Sequence, residues 1–313
     1  MESFGIEKKY ESANASSNIP VELPVVGFDH VKGAQEEIIK AQCRLGDGKE
    51  ILLSYGYGQG FGEMPYAAVS SSSGCSVDCK FCSVPAYDRC LTPEEIVGEV
   101  RVLTALAKEK GIYPSDDRFR ISFTKEGEPA LHKSLQRSLE ALNATFPRAA
   151  YKISTIFPEG EVCKRNLHDV IDFQRRTGAD ILLQISLHGT SMEARGKVAK
   201  RKLADFSTIG KFGEEWSQST GCKITLAFTV RDEDVLGLDP MAIRGILPPD
   251  NFEIRVRGIV DGNTSLLTEG GFKAFLERFE EAGYGVTDGR ATEMEINNGT
   301  EVGVYQPLSG SGE

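Results

Sequence analysis

Short β-rich runs alternate with helical stretches from Ala67 onward, and this alternation restricts the fold more than any other feature of the sequence. The candidate strands are Ala67–Ser70, Phe119–Phe123, Ala150–Ser154, Ile181–Ser186, Lys223–Phe228 and Phe252–Val256. Strands that alternate with helices form a parallel sheet, because each helix returns the chain in a right-handed crossover. The sequence therefore predicts an α/β fold, a partial (β/α)6 TIM-like barrel whose chemistry lies at the C-terminal strand ends.

The first helix is delimited by local signals. Thr92 is placed to cap its N-terminus, Pro93 follows at the first helical position, and Glu95 completes a capping box. Gly111 is the expected stop.

The chain is expected to divide into three parts. Residues 1–63 are interpreted as a flexible leader and a small N-terminal β appendage, residues 64–300 as the barrel, and residues 301–313 as a tail. Within the appendage, Leu45–Leu53 predicts a turn that leads into a strand. The glycine-rich Tyr55–Gly62 is interpreted as a mobile loop, because no P-loop Lys-Ser/Thr or following helix supports a phosphate cradle.

The charge of the chain argues against a large RNA as partner. There are 36 Lys and Arg residues against 46 Asp and Glu, a formal charge of -10, whereas nucleic-acid-binding domains are usually basic. The four basic residues between Lys197 and Lys202 are interpreted as a solvated helix face. No apolar run reaches the roughly 18 residues of a membrane span, and Met1–Pro20 is polar, so we expect a cytoplasmic protein without membrane association.

Three of the seven cysteines, Cys75, Cys79 and Cys82, fall within eight residues of a loop that follows the first strand. The Cys-x3-Cys-x2-Cys spacing lets one wrapped loop present three thiolates to three irons of a 4Fe-4S cluster, leaving the fourth iron open. A structural zinc site would need a fourth ligand, for which Cys90 is near enough. The spacing favours the cluster.

The other cysteines are isolated in the sequence. Small buried apolar positions are the expected places of Cys43, Cys90, Cys163 and Cys222. Cys90 has a second interpretation, since it lies on the same loop as the cluster motif and could approach the active site.

The cysteine motif resembles the signature of the radical S-adenosylmethionine (SAM) superfamily. This resemblance implies that the open iron binds SAM, and that an electron from the cluster breaks a sulfonium bond to release a 5'-deoxyadenosyl radical. It also implies an external electron donor such as flavodoxin or ferredoxin. Lys125-Glu-Gly127-Glu128-Pro129 resembles the Gly-Glu-Pro motif with which the superfamily receives the methionyl ammonium of SAM.

Within the superfamily, the chain most resembles the adenine-carbon-2 methyltransferases of ribosomal and transfer RNA, including the chloramphenicol-florfenicol resistance enzyme. The matching segments are Val69-Ser70-Ser71, Leu91–Val100, Gly127-Glu128-Pro129, Lys152-Ile-Ser154-Thr155 and Gln184-Ile-Ser186-Leu187-His188. The resemblance implies that SAM is contacted at Gly127, Glu128, Ser154, Ser186, Leu187 and His188.

Two cysteines that these methyltransferases need are missing. Ala68 stands where the resolving cysteine would lie, and Asn298 stands in the place of the methylated cysteine. An amide cannot replace a thiolate as a methyl carrier, so this chemistry is not expected here. Asn298 is instead a candidate for orienting a substrate by hydrogen bonds. Glu50 is the weak match to the family's proton-accepting carboxylate, and a solvated strand residue is its alternative interpretation.

Arg255 and Arg257 alternate on the sixth predicted strand and point to one face. Together with Asp261, which closes that strand, they could bind a phosphate or carboxylate of a substrate inside the barrel, or they could form surface salt bridges. The sequence leaves both interpretations open.

These features predict a radical SAM enzyme that abstracts hydrogen from a small, polar or nucleotide-like metabolite. One alternative is a divergent RNA adenine methyltransferase. Another is a non-catalytic iron-sulfur sensor or nucleic-acid-binding protein that kept the fold.

Overall fold

The computed structural model describes residues 22–58, 64–261, 264–292 and 296. Its first three strands, β1 (Val25–Lys32), β2 (Glu36–Arg44) and β3 (Glu50–Gly58), form an antiparallel meander. β3 then pairs antiparallel with β4 (Tyr66–Val69), so the meander extends the sheet of the barrel. The predicted boundary between residues 63 and 64 thus falls between two strands of one sheet. The predicted tail, 301–313, lies outside the described residues.

The remaining elements alternate as the sequence predicts. In chain order they are β5 (Ser72–Ser73), β6 (Arg89–Cys90), α1 (Pro93–Glu109), β7 (Arg120–Phe123), α2 (Leu135–Thr145), β8 (Ala150–Thr155), α3 (Glu161–Thr177), β9 (Ile181–Ser186), α4 (Met192–Val198), α5 (Phe206–Thr220), β10 (Ile224–Val230), α6 (Asp232–Val235), α7 (Pro240–Arg244), β11 (Phe252–Gly258), β12 (Val260–Asp261), β13 (Thr264–Ser265), α8 (Glu269–Glu281) and β14 (Val286–Asp288). A single-turn 3-10 helix, Pro129–Leu131, follows β7.

Seven strands are parallel neighbours in the order β4-β7-β8-β9-β10-β11-β14. The six predicted strands are therefore confirmed, and the α/β partial barrel with them. The short strand β14 adds a seventh that the sequence analysis did not predict.

Helix α1 begins and ends at the predicted signals. The Thr92 side chain accepts a hydrogen bond from the Glu95 amide at 3.2 Å, and the Glu95 carboxylate accepts one from the Thr92 amide at 2.8 Å. The helix ends at Glu109, and Gly111 follows with φ +75°. The capping box is confirmed.

The apolar core lies between the outer face of the sheet and the helices. Ile153 of β8, Ile185 of β9 and Ile254 of β11 are fully buried in it. Because side chains alternate along a strand, the neighbouring residues Ser154 and Gln184 face the inside of the barrel. No helix in the described part of the chain is long and apolar enough to cross a membrane.

Two expectations from the sequence analysis need correction here. Cys43 and Cys163 are buried, but Cys222 is exposed, because it lies in the turn between α5 and β10. Tyr55–Gly58, part of the segment interpreted as a mobile loop, belongs to β3, and residues 59–63 lie outside the described residues.

Candidate active site

The three clustered cysteines lie on what we call the cysteine loop, residues 70–91, which connects β4 to α1. Its stem is the small hairpin β5-β6. The Cys75 amide donates to the Pro85 carbonyl at 2.9 Å and closes the loop. Gly74 has φ +69°, and a Cβ there would lie 2.1 Å from the Ala86 carbonyl oxygen, so only glycine fits this turn.

One side of the cysteine loop is docked on the segment that follows β7. The Ser71 amide donates to the Glu126 carbonyl at 2.7 Å, and the Gly74 amide donates to the Glu126 carboxylate at 2.7 Å. Gly127 has φ +99°, and a Cβ there would lie 2.2 Å from the Ser72 hydroxyl. The match to the Gly-Glu-Pro motif gave no indication of a role for Glu126, although this residue directly precedes the motif.

The other side of the loop contacts residues 198–201. The Lys80 amide donates to the Val198 carbonyl at 2.9 Å, and the Arg201 amide donates to the Val77 carbonyl at 3.3 Å. The Lys200 and Asp78 side chains form an ion pair. Helix α4 ends at Val198, so the predicted basic helix face continues as a loop that packs against the cysteines.

The predicted metal and SAM residues meet at one cavity of about 140 Å³. Its lining includes Cys75, Cys79, Cys82, Gly127, Glu128, Ser154, Ser186 and His188. The Leu187 side chain does not reach this lining. It is buried in the core, and the Leu187 carbonyl accepts a hydrogen bond from Arg195 at 3.2 Å.

Glu128 is fixed by hydrogen bonds at the ends of β7 and β8. One carboxylate oxygen accepts from the Ala130 amide at 3.0 Å and the other from the Ile156 amide at 2.9 Å. Burial raises the pKa of Glu128, and the hydrogen bonds from Thr155, Ile156 and Ala130 oppose that rise. The carboxyl group thus holds two strand ends together as well as facing the cavity.

His188 separates this cavity from a larger one of about 800 Å³. Its Nδ1 accepts from the Thr229 amide at 3.1 Å, so the ring proton lies on Nε2. Its ring meets Phe81 edge to face with centroids 5.0 Å apart. Burial, and secondly the charge of Arg195, lower the pKa of His188 to about 3, so the ring is neutral at physiological pH. His188, Phe81 and Thr229 line both cavities.

Two polar atoms in the lining of the smaller cavity are buried without a hydrogen-bond partner in the described part of the chain. They are the Ser154 hydroxyl and the Gln184 side-chain carbonyl oxygen. Buried polar groups are nearly always satisfied in native proteins, so these two atoms are available to hydrogen-bond a ligand or a water molecule in the cavity.

The donor set fits an iron-sulfur cluster. Burial raises the pKa of Cys75 to about 11 and that of Cys79 to about 12, and it also raises the pKa of Cys82. Thiolates in such surroundings need a bound cation, which iron supplies. Within the described ranges, no three His, Cys, Asp or Glu side chains converge on a single ion, as a closed zinc site requires. In a cubane each cysteine binds a separate iron, and Cys90 instead lies 3.7 Å from the Tyr87 hydroxyl.

Of the two predicted catalytic residues, Glu50 belongs to the described part of the chain. Glu50 lies on β3, where its carboxylate accepts from Gln42 at 2.5 Å and from Arg44 at 3.0 Å, outside both cavities. Asn298 lies outside the described residues. Catalytic roles for both stay predictions. Arg257 lines the smaller cavity and Asp261 the larger one.

Comparison with solved structures identifies the fold. A radical SAM methyltransferase from Sphaerobacter thermophilus superposes with a TM-score of 0.67 at 18% sequence identity, covering 88% of this chain and 80% of that protein. The chain shares the fold of this protein. No protein-family model matches the sequence.

Curated relatives of this chain include dual-specificity RNA methyltransferases named RlmN. The probable RlmN of Chlorobium phaeobacteroides is 28% identical over 172 residues, 52% of this chain and 44% of the relative. The probable RlmN of Flavobacterium johnsoniae is 25% identical over 74% of this chain and 66% of the relative. The RlmN of Marinobacter nauticus is 32% identical over 44% and 36%. The chain thus spans between about a third and two thirds of these relatives, which confirm the predicted resemblance and imply a 4Fe-4S cluster and SAM.

Proposed function

We propose that this protein cleaves SAM reductively at a 4Fe-4S cluster held by Cys75, Cys79 and Cys82, and uses the resulting radical to abstract hydrogen from a small polar substrate. The observation that carries the proposal is the shared cavity, where the cysteines meet the residues matched to SAM contacts. When bound, the cluster supplies the electron that breaks a sulfonium bond of SAM.

The residues around the cavity can bind and orient the cofactor. Gly127 exposes its backbone beside the cysteines, and the Ser154 hydroxyl is unsatisfied by the described protein groups. His188 has an Nε2 proton to donate. The smaller cavity, about 140 Å³, is below the roughly 300 Å³ of an ordinary ligand site, but it adjoins the larger cavity at Phe81, and the two together offer room for SAM.

Two positions support a reaction other than methyl-cysteine-dependent RNA methylation. Ala68, matched to the resolving cysteine, is buried on β4 beside Ser54 and carries no thiol. Asn298, matched to the methyl carrier, also lacks one. The formal charge of -10 adds an electrostatic penalty for RNA binding.

Anaerobic reconstitution tests the cluster. We expect about four irons and four sulfides per wild-type chain, and loss of the cluster in Cys75→Ala, Cys79→Ala and Cys82→Ala. The exposed Cys222→Ala is the matched control and should keep it. With dithionite, the wild type should form 5'-deoxyadenosine, and deuterium should enter that product from a labelled substrate. One zinc and no iron per chain would overturn the proposal.

A divergent RNA methyltransferase is the second candidate, and the similarity to RlmN proteins supports it. Incubation of the reduced enzyme with methyl-labelled SAM and protein-free ribosomal RNA separates the two candidates. Label in the protein or in adenine, abolished in Cys75→Ala, would establish the second candidate. Formation of 5'-deoxyadenosine without label transfer supports the first.

A further inference from the structure

The inside of the barrel is polar directly below the cysteine cavity, where (β/α)8 barrels usually pack apolar side chains. Four polar residues on neighbouring strands are adjacent in register: Ser154, Gln184, Thr225 and Glu253. The Thr225 hydroxyl donates to the Glu253 carboxylate at 2.7 Å. The first two, Ser154 and Gln184, have the unsatisfied oxygens described above.

Three cations line the same cavity, Lys125 after β7 and two on the barrel strands. Lys152 precedes Ser154 by two residues on β8, so it shares the inner face, and it is 9% exposed. Arg257 reaches the lining from β11. Both strand cations also have partners within the protein, so a ligand would share them. The unsatisfied Gln184 oxygen, on a side chain 8% exposed, calls for a hydrogen-bond donor.

We propose that Lys152, Gln184 and Arg257 form a subsite for the second substrate. The ligand is a small molecule with a carboxylate or phosphate that also carries a hydroxyl or amino group. Lys152 and Arg257 bind the acid, and the Gln184 side-chain oxygen accepts from the hydroxyl or amino group. This inference rests on the proposed function and names the substrate class for it.

SAM itself has a carboxylate and an amine, so the depth of the subsite matters. Gly127 and Glu128 lie at the strand ends beside the cysteines, whereas Lys152 lies two residues before Ser154. Two residues of strand correspond to roughly 7 Å farther into the barrel. Lys152 therefore lies below the residues matched to SAM, whereas Arg257, in register with Thr229 one residue before the end of β11, reaches the cavity from the strand ends. The two cations can thus contact a second molecule from below and from above.

Calorimetry on cluster-loaded protein, under anaerobic conditions with saturating SAM and no reductant, tests the subsite. The probes are glycerol 3-phosphate for the phosphate, glycerate for the carboxylate, and glycerol as the uncharged counterpart. We expect at least one acid to bind alongside SAM and glycerol not to bind. Lys152→Met and Arg257→Met should each weaken the binding of that acid about tenfold or more, while the affinity for SAM changes by less than about threefold.

Two variants keep the test valid if removing a buried cation disturbs folding. Arg257→Lys keeps the positive charge and loses the paired N–H donors of the guanidinium group. Gln184→Leu keeps the approximate size of the side chain and loses its hydrogen-bond acceptor. Both variants should bind the acid more weakly than the wild type, with iron content and circular dichroism unchanged. Lys202→Met is the matched control, because that exposed lysine pairs with Glu159 outside the cavity. It should bind like the wild type.

Three outcomes overturn the inference. The first is that neither acid binds the wild type. The second is that the acid competes with SAM and SAM affinity falls tenfold in Lys152→Met, which assigns the subsite to the methionyl group of SAM. The third is that Lys202→Met weakens binding of the acid as much as the cavity variants do. The calorimetry contains no reductant, so its result does not depend on cleavage of SAM. Failure to cleave SAM in the separate assay with dithionite would refute the proposed function and leave the binding result unchanged.

Discussion

Glu126→Ala should loosen the cysteine loop without changing any predicted cluster or SAM residue. In the folded protein the Glu126 side chain is 5% exposed and accepts the Gly74 amide at 2.7 Å, one residue before Cys75. Its loss leaves a buried amide unsatisfied, which costs about 1–3 kcal/mol. The substitution also removes a carboxyl group that is unfavourably buried, as its raised pKa indicates, and this offsets part of that cost. Backbone bonds from Ser71 to the Glu126 carbonyl remain.

We therefore expect docking of the loop to weaken by about 1–2 kcal/mol, or roughly five- to thirtyfold. The assay is the rate at which an iron chelator strips the reconstituted cluster under anaerobic conditions. Glu126→Ala should lose iron about tenfold faster than the wild type, and Glu126→Gln, which keeps an acceptor, should lose it within threefold of the wild-type rate. Glu140→Ala, at an exposed pair with Arg176, is the control. Equal rates in wild type and Glu126→Ala would refute the reasoning.

Two further predictions follow from buried groups. Burial raises the pKa of Glu99 well above 4.5 in the folded protein, so the folded state keeps a proton that the unfolded state releases above about pH 4.5. The free energy of unfolding should fall by about 1.4 kcal/mol per pH unit from there to the folded pKa, and urea titrations of Glu99→Gln should lack this slope. The same slope in the variant would contradict the assignment. Gly127→Ala should destabilise by at least about 1–3 kcal/mol and lose iron, because its Cβ would strike Ser72 at positive φ. Gly178 also has a positive φ, +68°, but a Cβ there meets open space, so Gly178→Ala measures the cost of the backbone conformation alone. Equal melting temperatures of Gly127→Ala and Gly178→Ala would contradict the predicted clash.

The parts of the fold predicted from the sequence are those specified by local signals. The capping box at Thr92 and Glu95 depends on residues three apart, and the strand of Ile181–Ser186 has exactly its predicted bounds. The cysteine spacing likewise placed the loop at a strand end. Each of these signals lies within a few neighbouring residues, where composition and period suffice.

The parts that the sequence did not reveal depend on pairing between distant residues. The β1-β2 hairpin carries mostly half-buried residues in β1, so it lacks a clear alternation. Glu126 contacts Gly74 across 52 residues, and the polar row through Gln184 becomes visible only when strand register is known. The sequence shows which side chains are polar or charged, but the pairing register of the strands decides which of them lie next to one another.

The contacts on both sides of the cysteine loop set an order for assembly of the protein. Glu126 arrives 56 residues after Ser70, whereas Lys200 is 122 residues from Asp78. During synthesis, a nascent chain that stops before residue 198 has all three thiols and lacks one wall of their loop. Long-range contacts form late in folding because closing the intervening chain costs entropy. If the three thiols hold iron as proposed, the metal is best inserted into a nearly finished barrel, because in a shorter nascent chain the thiols are not yet shielded by residues 198–201.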